Sequence, residues 1–352
     1  MNSQAILYIN KTMEKKNIDW IDSLRVICVL AVITIHSLPY YLSSMDNLSK
    51  WHTANALNSL SRFCVPVFIM ISGLLWFADP APAKIFYKKR AIRLFLPFLF
   101  WSFSSYVFYK YYLKGSTDYS VMFLDFYEKF RNAQIYAHFW YIYMLVGLCL
   151  IAPVFKTWIN HVSEAEIRLY LVIWLIVLFY QAPVLNNMRI QFDLKGIYNY
   201  SGYLVLGYYL GNYNSIPAQK QKRVGMMLYF SAILFTIMVT YFISMKDKIF
   251  KETYCEYLSL NVALAATGIF LWFKQLQVTR PVLKKGIQSI AKHSYGIYLS
   301  HFIFIDLLME IRGPYYEHPI VYVPCIVTAC LSLSWITIYL LSKVPYSKYF
   351  IG

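Results

Sequence analysis

The chain has 352 residues, of which 59% are hydrophobic and 14% are charged, whereas about 25% of the residues of a soluble domain are charged. This composition excludes an ordinary soluble protein and provides apolar residues for about ten membrane-crossing helices of about 20 residues each. The net charge of +16 is typical of nucleic-acid-binding proteins, but no aqueous domain remains to provide a binding face. We therefore expect no nucleic-acid partner and attribute the charge to basic loops that contact anionic membrane lipid.

Long apolar windows predict an all-α, polytopic integral membrane protein with about ten transmembrane helices. Lys and Arg number 20 in one set of alternate loops and 11 in the other, which predicts that both termini are cytoplasmic. We divide the chain into a cytoplasmic N-terminal segment (1–21), a transmembrane domain (22–343) and a cytoplasmic tail (344–352). The predicted spans, numbered 1 to 10 in chain order, cover residues 22–43, 56–78, 91–113, 138–158, 169–186, 197–214, 225–246, 256–276, 288–311 and 319–343.

Span 1 contains ionisable residues, which are rare in hydrocarbon and by default indicate a function. Arg25 and His36 are eleven positions apart, so at 100° per residue they share one helix face, about 16 Å apart along the axis. Asp22 precedes Arg25 by one helical turn, within reach of a salt bridge. Alternatively, Arg25 could snorkel to the cytoplasmic interface and His36 could only hydrogen-bond a neighbouring helix. We interpret His36, the deeper of the two, as a functional residue.

Spans 2 and 3 contain the next candidates. Pro66 predicts a kink in span 2 that frees backbone carbonyls for a polar cavity, and Ser72 and Gly73 are small enough to let a helix or a ligand approach closely. Arg90 and Arg93, at the start of span 3, are one helical turn apart, so their guanidinium groups can bind one phosphate or diphosphate. A basic cluster that only keeps this loop in the cytoplasm would need no ligand.

The 110–137 segment, rich in Tyr and Phe, predicts an interfacial helix before span 4. Span 4 opens with His138 and Trp140, of which Trp140 is equally explained by an aromatic belt. The six cysteines are scattered and form no CxxC pair, so we expect neither a disulfide framework nor a metal site.

Span 9 contains His301, a candidate ligand or proton-relay residue within an apolar run. His301 and Asp306 match the H-x4-D pattern of glycerolipid acyltransferases. A catalytic pair needs a turn that brings the carboxylate to the imidazole, however, and on a continuous helix these side chains point about 140° apart. We interpret this match as a coincidence.

Taken together, these residues resemble the acyltransferase-3 family of integral membrane acyltransferases. The resemblance covers most of the chain, and the spacing between Arg25 and His36 is its most specific part. The matching segments, in the expected order, are Trp20–His36, Arg62–Gly73, Arg90-x-x-Arg93, His138-x-Trp140 and Ser294-Tyr295-Gly296-Ile297-Tyr298 through His301.

The resemblance implies ten helices in a bacterial cytoplasmic membrane, with acyl-CoA, usually acetyl-CoA, as the cytoplasmic co-substrate. It implies as acceptor a hydroxyl of a cell-envelope sugar, often lipid-linked. By the same resemblance His36 is the catalytic residue, whereas Arg25, Arg90 and Arg93 contact the phosphates or pantetheine of the donor. Asp22 and Ser72 complete our predicted acyl-CoA-binding residues. As acceptor-binding or pore-lining residues we predict Arg62, His138, Trp140, Tyr298 and His301.

Two further expectations follow from the resemblance. Some members of the family use an acidic residue in an extracytoplasmic loop, for which Asp125, Glu128 and Asp193 are candidates that the sequence does not separate. Other members append a soluble esterase-like domain, and we expect the membrane domain of this chain to perform the transfer without one.

Transfer of an acetyl group to a sugar hydroxyl needs a base for the hydroxyl proton and donors for the tetrahedral oxyanion. A neutral His36 could be that base, with the pantetheine arm threading inward from a cytoplasmic mouth lined by arginines. An acetyl-histidine intermediate is equally compatible with the sequence. The alternative function is a membrane carrier or flippase for a lipid-linked sugar, since such proteins also bury Arg and His along a pathway. Carriers often show inverted repeats, which are not evident in this sequence.

Overall fold

The computed structural model describes residues 19–188, 190, 192–213, 216–312 and 317–352. All regular secondary structure within these ranges is helical. Apart from its last three residues, the predicted N-terminal segment 1–21 lies outside the described residues.

A helix overlaps each of the ten predicted spans. The α-helices are α1 Asp19–His36, α2 Pro39–Ser43, α3 Leu48–Ser61, α4 Cys64–Ala78, α5 Ala83–Arg90, α6 Leu96–Val107, α7 Met122–Arg131, α8 Trp140–His161, α9 Glu164–Tyr180, α10 Ser201–Asn212, α11 Ala218–Asp247, α12 Leu260–Lys274, α13 Pro281–Arg312, α14 Pro319–Leu341 and α15 Lys348–Ile351. The π-helical turn Ala91–Phe95 joins α5 to α6. A second π-helical turn, Phe108–Leu113, continues α6, so that one helix runs to Leu113.

Six stretches of the described chain are long and apolar enough to cross a membrane by themselves: Leu48–Ala78, Ala83–Leu113, Ala137–His161, Ala218–Asp247, Pro281–Ile311 and Pro319–Leu341. By contrast, α9, α10 and α12 have 17, 12 and 15 residues. A 12-residue helix is about 18 Å long, shorter than the hydrocarbon core of about 30 Å. The protein is therefore a multi-pass helical membrane protein, whereas ten crossings and cytoplasmic termini stay predictions.

Two prolines set where spans 1 and 2 break. Span 1 is not one helix over 22–43, because α1 ends at His36 and a separate short helix starts at Pro39; helices usually end before the residue that precedes a proline. Pro66 likewise cannot donate a hydrogen bond to the carbonyl of Arg62 and crowds it, and the chain turns at Arg62 and Phe63 between α3 and α4. The predicted kink in span 2 is confirmed. Both breaks place a predicted site residue, His36 or Arg62, at a helix end.

Glycines bring α4 and α10 into close contact. A Cβ atom on Gly73 would lie 2.0 Å from the carbonyl oxygen of Leu204, and one on Gly207 would lie 2.0 Å from that of Met70. The small residue predicted at Gly73 therefore serves helix packing. This contact fixes α4, which lines the site, near the centre of the bundle.

The 110–137 segment contains α7, as the predicted interfacial helix requires. Phe123, Leu124 and Tyr127 on α7 are exposed, and Asp125 forms an ion pair of 2.8 Å with Lys110. The predicted tail 344–352 is packed against the bundle, because the Trp101 indole donates a hydrogen bond to the Phe350 carbonyl.

Candidate active site

Three histidines from distant parts of the chain meet inside the bundle. His36 ends α1, His138 lies in the 3-10 turn Ala137–Phe139 before α8, and His301 lies in the middle of α13. The ring centroids are 5.4 Å apart for His36 and His301, 6.0 Å for His36 and His138, and 4.8 Å for His138 and His301. Phe302 stacks on His138 at 4.3 Å and also contacts His36 at 4.6 Å. We call His36, His138 and His301 the histidine cluster.

The hydrogen bonds of the cluster fix one tautomer. Nδ1 of His301 lies 2.5 Å from the carbonyl oxygen of Tyr298. A carbonyl only accepts, so Nδ1 bears the proton and Nε2 of the neutral ring presents a lone pair. That Nε2 atom and both ring nitrogens of His138 are buried and have no hydrogen-bond partner among the described residues. Such unpaired nitrogens are costly in a protein interior and are available to a substrate or a proton.

Among the residues that the structure describes, no group of three or more His, Cys, Asp or Glu side chains is arranged to hold a metal ion. The chemistry that this cluster can perform with its own atoms is proton transfer or nucleophilic attack.

A cavity of about 450 Å³, which we call the donor cavity, lies between α1, α4, the start of span 3, α8 and α13. Ser72 and Trp76 of α4 line it, and so do Tyr141 and Tyr298. Its cationic wall consists of Arg25, Arg90, Arg93 and Lys292.

The positive charge of the donor cavity is only partly compensated. Arg25 forms an ion pair of 3.2 Å with Asp22, as the spacing of the two residues predicts. Asp22 is the only described carboxylate that pairs with any of the four cations. The donor cavity therefore has the charge of a site for an anion with more than one negative charge.

Arg90 is held by aromatic rings rather than by an acid. Its guanidinium carbon lies 5.3 Å from the Trp76 ring centroid and 4.9 Å from that of Phe86, distances typical of cation–π contacts. The Arg90 Nε atom is buried, and no residue that the structure describes forms a hydrogen bond with it. A guanidinium fixed by stacking keeps its donors free for an incoming phosphate.

The donor cavity does not reach His36, contrary to the expected passage between Arg25 and His36. Tyr298 lies at its inner wall and contacts His301 and His138, at 5.6 Å between each pair of centroids. The Tyr298 hydroxyl donates a hydrogen bond of 2.5 Å to the His138 carbonyl, and Tyr141 packs on Tyr298 at 5.3 Å. The helical spacing of Arg25 and His36 could not reveal this tyrosine layer, because its two members belong to α8 and α13.

Arg62 lies apart from the donor cavity, near the loop that joins α11 and α12. Arg62 is 6% exposed. Its Nε and Nη2 donate hydrogen bonds of 3.0 and 2.8 Å to Asn58 Oδ1. Its Nη1 forms an ion pair of 2.6 Å with Glu252. The guanidinium also lies 5.7 Å from the Tyr257 ring. In the same loop, burial raises the pKa of the Glu256 carboxyl, and the negative charge of Glu252 raises it further.

Trp140 packs against the same loop. Its ring stacks on Tyr257 at 5.6 Å and contacts Tyr200 at 5.9 Å. Arg62, Trp140 and Tyr257 together form what we call the aromatic platform.

The H-x4-D match is a coincidence, as the helical spacing predicts. α13 is continuous through His301 and Asp306, and the two side chains have different partners. Asp306 accepts a hydrogen bond of 2.6 Å from the Tyr136 hydroxyl, whereas His301 belongs to the histidine cluster.

Sequence reasoning missed three residues of the site. Lys292 lies within predicted span 9 and precedes the Ser294–His301 segment by less than one turn, which is a signal that could have identified it. Tyr141 directly follows the predicted Trp140, and its position in the sequence does not distinguish it from the other tyrosines of the chain. Phe302, next to His301, offered no signal because a phenylalanine in an apolar helix is ordinary.

Comparison with protein-family models identifies one domain, described as an acyltransferase domain, over residues 18–339. Comparisons with curated proteins and with solved structures find no match. The domain covers nearly the whole chain and includes the histidine cluster, the donor cavity and the aromatic platform. The chain therefore belongs to the acyltransferase-3 family of membrane acyltransferases.

Proposed function

We propose that this membrane acyltransferase moves an acetyl group from cytoplasmic acetyl-CoA to a hydroxyl of a cell-envelope sugar, in the cytoplasmic membrane of a bacterium. The observation that supports it best is the donor cavity. Four cations line it, and only one of them, Arg25, forms an ion pair with a described carboxylate. Its inner wall contacts the histidine cluster.

The donor cavity suits the diphosphate and pantetheine of acetyl-CoA. Its volume of about 450 Å³ lies within the range of roughly 300–1,000 Å³ for ligand sites. Arg90, Arg93 and Lys292 provide charge and directional donors for phosphate oxygens. Ile71, Leu94 and Leu145 provide an apolar wall for the arm that follows.

The acetyl group reaches His36 only if the tyrosine layer moves. Rotation of the Tyr298 and Tyr141 side chains would open the donor cavity onto the histidine cluster. We infer that binding of the pantetheine arm drives this rotation, which also keeps water away from the thioester when no donor is bound.

The chemistry at the cluster is an acyl transfer. His36 removes the proton from the acceptor hydroxyl, whose oxygen forms a bond to the thioester carbonyl carbon. The C–S bond then breaks, and the CoA thiolate takes the proton back from His36. An acetyl-His36 intermediate gives the same products in two steps. Neighbouring imidazoles with unpaired nitrogens, His301 and His138, would accept or share the proton in either route.

The aromatic platform supports a sugar as the acceptor. Stacked Trp140 and Tyr257 offer flat apolar faces with a polar edge, and Arg62 with Glu252 offers donors and acceptors for hydroxyl groups. On the predicted orientation the platform lies toward the outer side and the donor cavity toward the cytoplasm, so donor and acceptor approach His36 from opposite sides.

Two measurements test the proposal. The purified protein is expected to bind CoA and to hydrolyse or exchange acetyl-CoA slowly without acceptor. Mass spectrometry is expected to find one additional acetyl group on an envelope glycan from cells that express the gene, compared with cells that do not. A protein that neither binds CoA nor changes any glycan, but moves a lipid-linked sugar across vesicles, would be a carrier instead.

A further inference from the structure

A second cavity lies directly beside the donor cavity. The turn at residues 79–83 and the last turns of α8 enclose about 270 Å³. Flat apolar residues line this cavity, namely Trp76, Phe86 and three prolines. Thr157, Asn160 and His161 form its rim on α8 and are exposed.

Trp76 lines both cavities. Trp76 and Phe86 contact edge to face at 5.9 Å, and the Arg90 guanidinium lies against both rings. Arg90 therefore lines the donor cavity and packs against two residues that line the second cavity. A diphosphate bound at Arg90 would place one of its substituents in each cavity.

We propose that this second cavity, the nucleotide cavity, binds the adenosine 3′-phosphate part of the acyl-CoA donor. The inference rests on the proposed function. In CoA the diphosphate links a pantetheine arm to an adenosine, so the position of Arg90, which lines one cavity and packs against residues of the other, matches the position of the diphosphate in the ligand.

The chemistry of the nucleotide cavity favours a purine. A nucleobase is stabilised by stacking on aromatic rings, and Trp76, Phe86 and the prolines line this cavity. Asn160 can donate to and accept from one edge of adenine, the pairing that asparagine makes with this base elsewhere. No hydrogen bond from the Asn160 side chain to another described residue is found.

A cation for the ribose phosphate is also present. The Lys156 ammonium donates to the backbone carbonyls of Asp79 and Ala81, which fixes the turn against α8. An ammonium has three donors, so one remains for a phosphate oxygen. The same lysine thus shapes the nucleotide cavity and matches the charge of the ligand.

Equilibrium binding of adenosine 3′,5′-bisphosphate to the purified full chain tests the inference without any reaction. Thr157→Trp should fill the cavity and weaken binding at least about tenfold, which corresponds to about 1.4 kcal/mol. Asn160→Ala should weaken it about threefold or more because it removes the adenine contact. Thr279→Trp, on an exposed residue outside both cavities, is the control and should bind like the wild type.

Transfer kinetics distinguish the contribution of the nucleotide to donor binding from that of the pantetheine arm. Thr157→Trp should raise the KM for acetyl-CoA and leave the KM for acetyl-4′-phosphopantetheine, which has no nucleotide, within about twofold of the wild type. The inference is wrong if the wild-type chain does not bind the bisphosphate, or if Thr157→Trp binds it like Thr279→Trp. Intact bisphosphate binding without any acetyl transfer would overturn the proposed function and leave the nucleotide cavity supported.

Discussion

The imidazoles of His36 and His301 lie 5.4 Å apart between ring centroids, although one ends the first helix and the other lies in the middle of α13. His301 donates from Nδ1 to the Tyr298 carbonyl, which leaves its Nε2 lone pair unpaired. A proton taken up by His36 thus has an adjacent acceptor on a fixed helix. His36, which is partly accessible, is the member of the cluster that a substrate can approach.

Replacement of His36 by alanine should nearly abolish acetyl transfer. A positioned general base contributes about 10²- to 10⁴-fold to a rate, so kcat of His36→Ala should fall by at least about 10²-fold, with CoA binding retained because His36 does not line the donor cavity. Transfer from radiolabelled acetyl-CoA to envelope acceptor measures the loss. His52→Ala, a histidine outside the cluster, is the matched control. Wild-type transfer by His36→Ala would show that His36 is not the base.

Replacement of Arg90 by lysine should weaken donor binding although the charge is kept. An ammonium cannot reproduce the planar stacking on Trp76 and Phe86 or bind a phosphate with two parallel donors. We expect Arg90→Lys to raise the KM for acetyl-CoA about tenfold, or about 1.4 kcal/mol, with a smaller change in kcat. Arg223→Ala, which removes an exposed arginine of α11, should leave the KM unchanged. An unchanged KM in Arg90→Lys together with a raised KM in Arg223→Ala would mean that only the general positive charge of the surface matters.

The sequence predicted the helices and the individual candidate residues of the site, but not which of these residues contact one another. Hydrocarbon accepts only long apolar helices, so the hydropathy of the chain locates them. The periodicity of one helix places Arg25 and His36 on one face. The convergence of His36 with His301 depends instead on how α1 packs on α13, and the tyrosine layer depends on α8 and α13 together. Spacing within one helix contains no information about contacts between helices.

The break in predicted span 1 shows a second limit of the sequence-based prediction. Proline chemistry explains why the helix ends at His36, yet hydropathy alone merged residues 22–43 into one span because the residues after Pro39 are also apolar. Similarly, α10 is only 12 residues long, since Gly73 and Gly207 let it pack against α4 inside the bundle, where a helix need not match the thickness of the bilayer.

Replacement of Asn58 by alanine should destabilise the protein through Arg62. Asn58 accepts two hydrogen bonds from a guanidinium that is 6% exposed, and hydrogen bonds to charged groups contribute about 1.5–3 kcal/mol each. Asn58→Ala removes both hydrogen bonds and leaves Glu252 as the only described side chain that accepts a hydrogen bond from Arg62, so we expect a loss of about 3–6 kcal/mol, the sum of the two bonds. Thermal unfolding in detergent measures it. Asn132→Ala, on an exposed residue after α7, should leave the melting temperature unchanged, and an equal loss in both variants would contradict the assigned role of Asn58.

Acid should loosen α7 before the rest of the bundle. The hydrogen bond from Lys110 holds the pKa of Asp125 below its ordinary value of 3.8. An interaction that lowers a carboxyl pKa in the folded state stabilises the fold at neutral pH. This stabilisation is lost as the pH falls from about 4 through the folded-state pKa. The protection factors of the amides of residues 122–131, which correct for the pH dependence of the intrinsic exchange rate, should therefore fall below that pH in the wild type. In Asp125→Asn the protection factors should already be lower at pH 7 and should change little with acid. A wild-type α7 that stays equally protected down to pH 3 would contradict this ion pair.

Replacement of Gly207 by alanine should separate α10 from α4. The added Cβ would lie 2.0 Å from the Met70 carbonyl oxygen, closer than any van der Waals contact. Because both partners are backbone, neither can move aside by a change of rotamer. Overpacking costs about 1–3 kcal/mol even where side chains can adjust, so we expect the loss to reach or exceed that range.

Gly147 provides the matched control for this substitution. It also lies within a helix, α8, but a Cβ there meets nothing within 4 Å, and alanine favours a helix by up to about 1 kcal/mol over glycine. Gly147→Ala should therefore melt at or above the wild-type temperature, while Gly207→Ala should melt well below it. Because α4 presents Ser72 and Trp76 to the donor cavity, Gly207→Ala should also weaken CoA binding at temperatures where it is still folded. Unchanged melting and CoA binding in Gly207→Ala would show that α10 does not position α4.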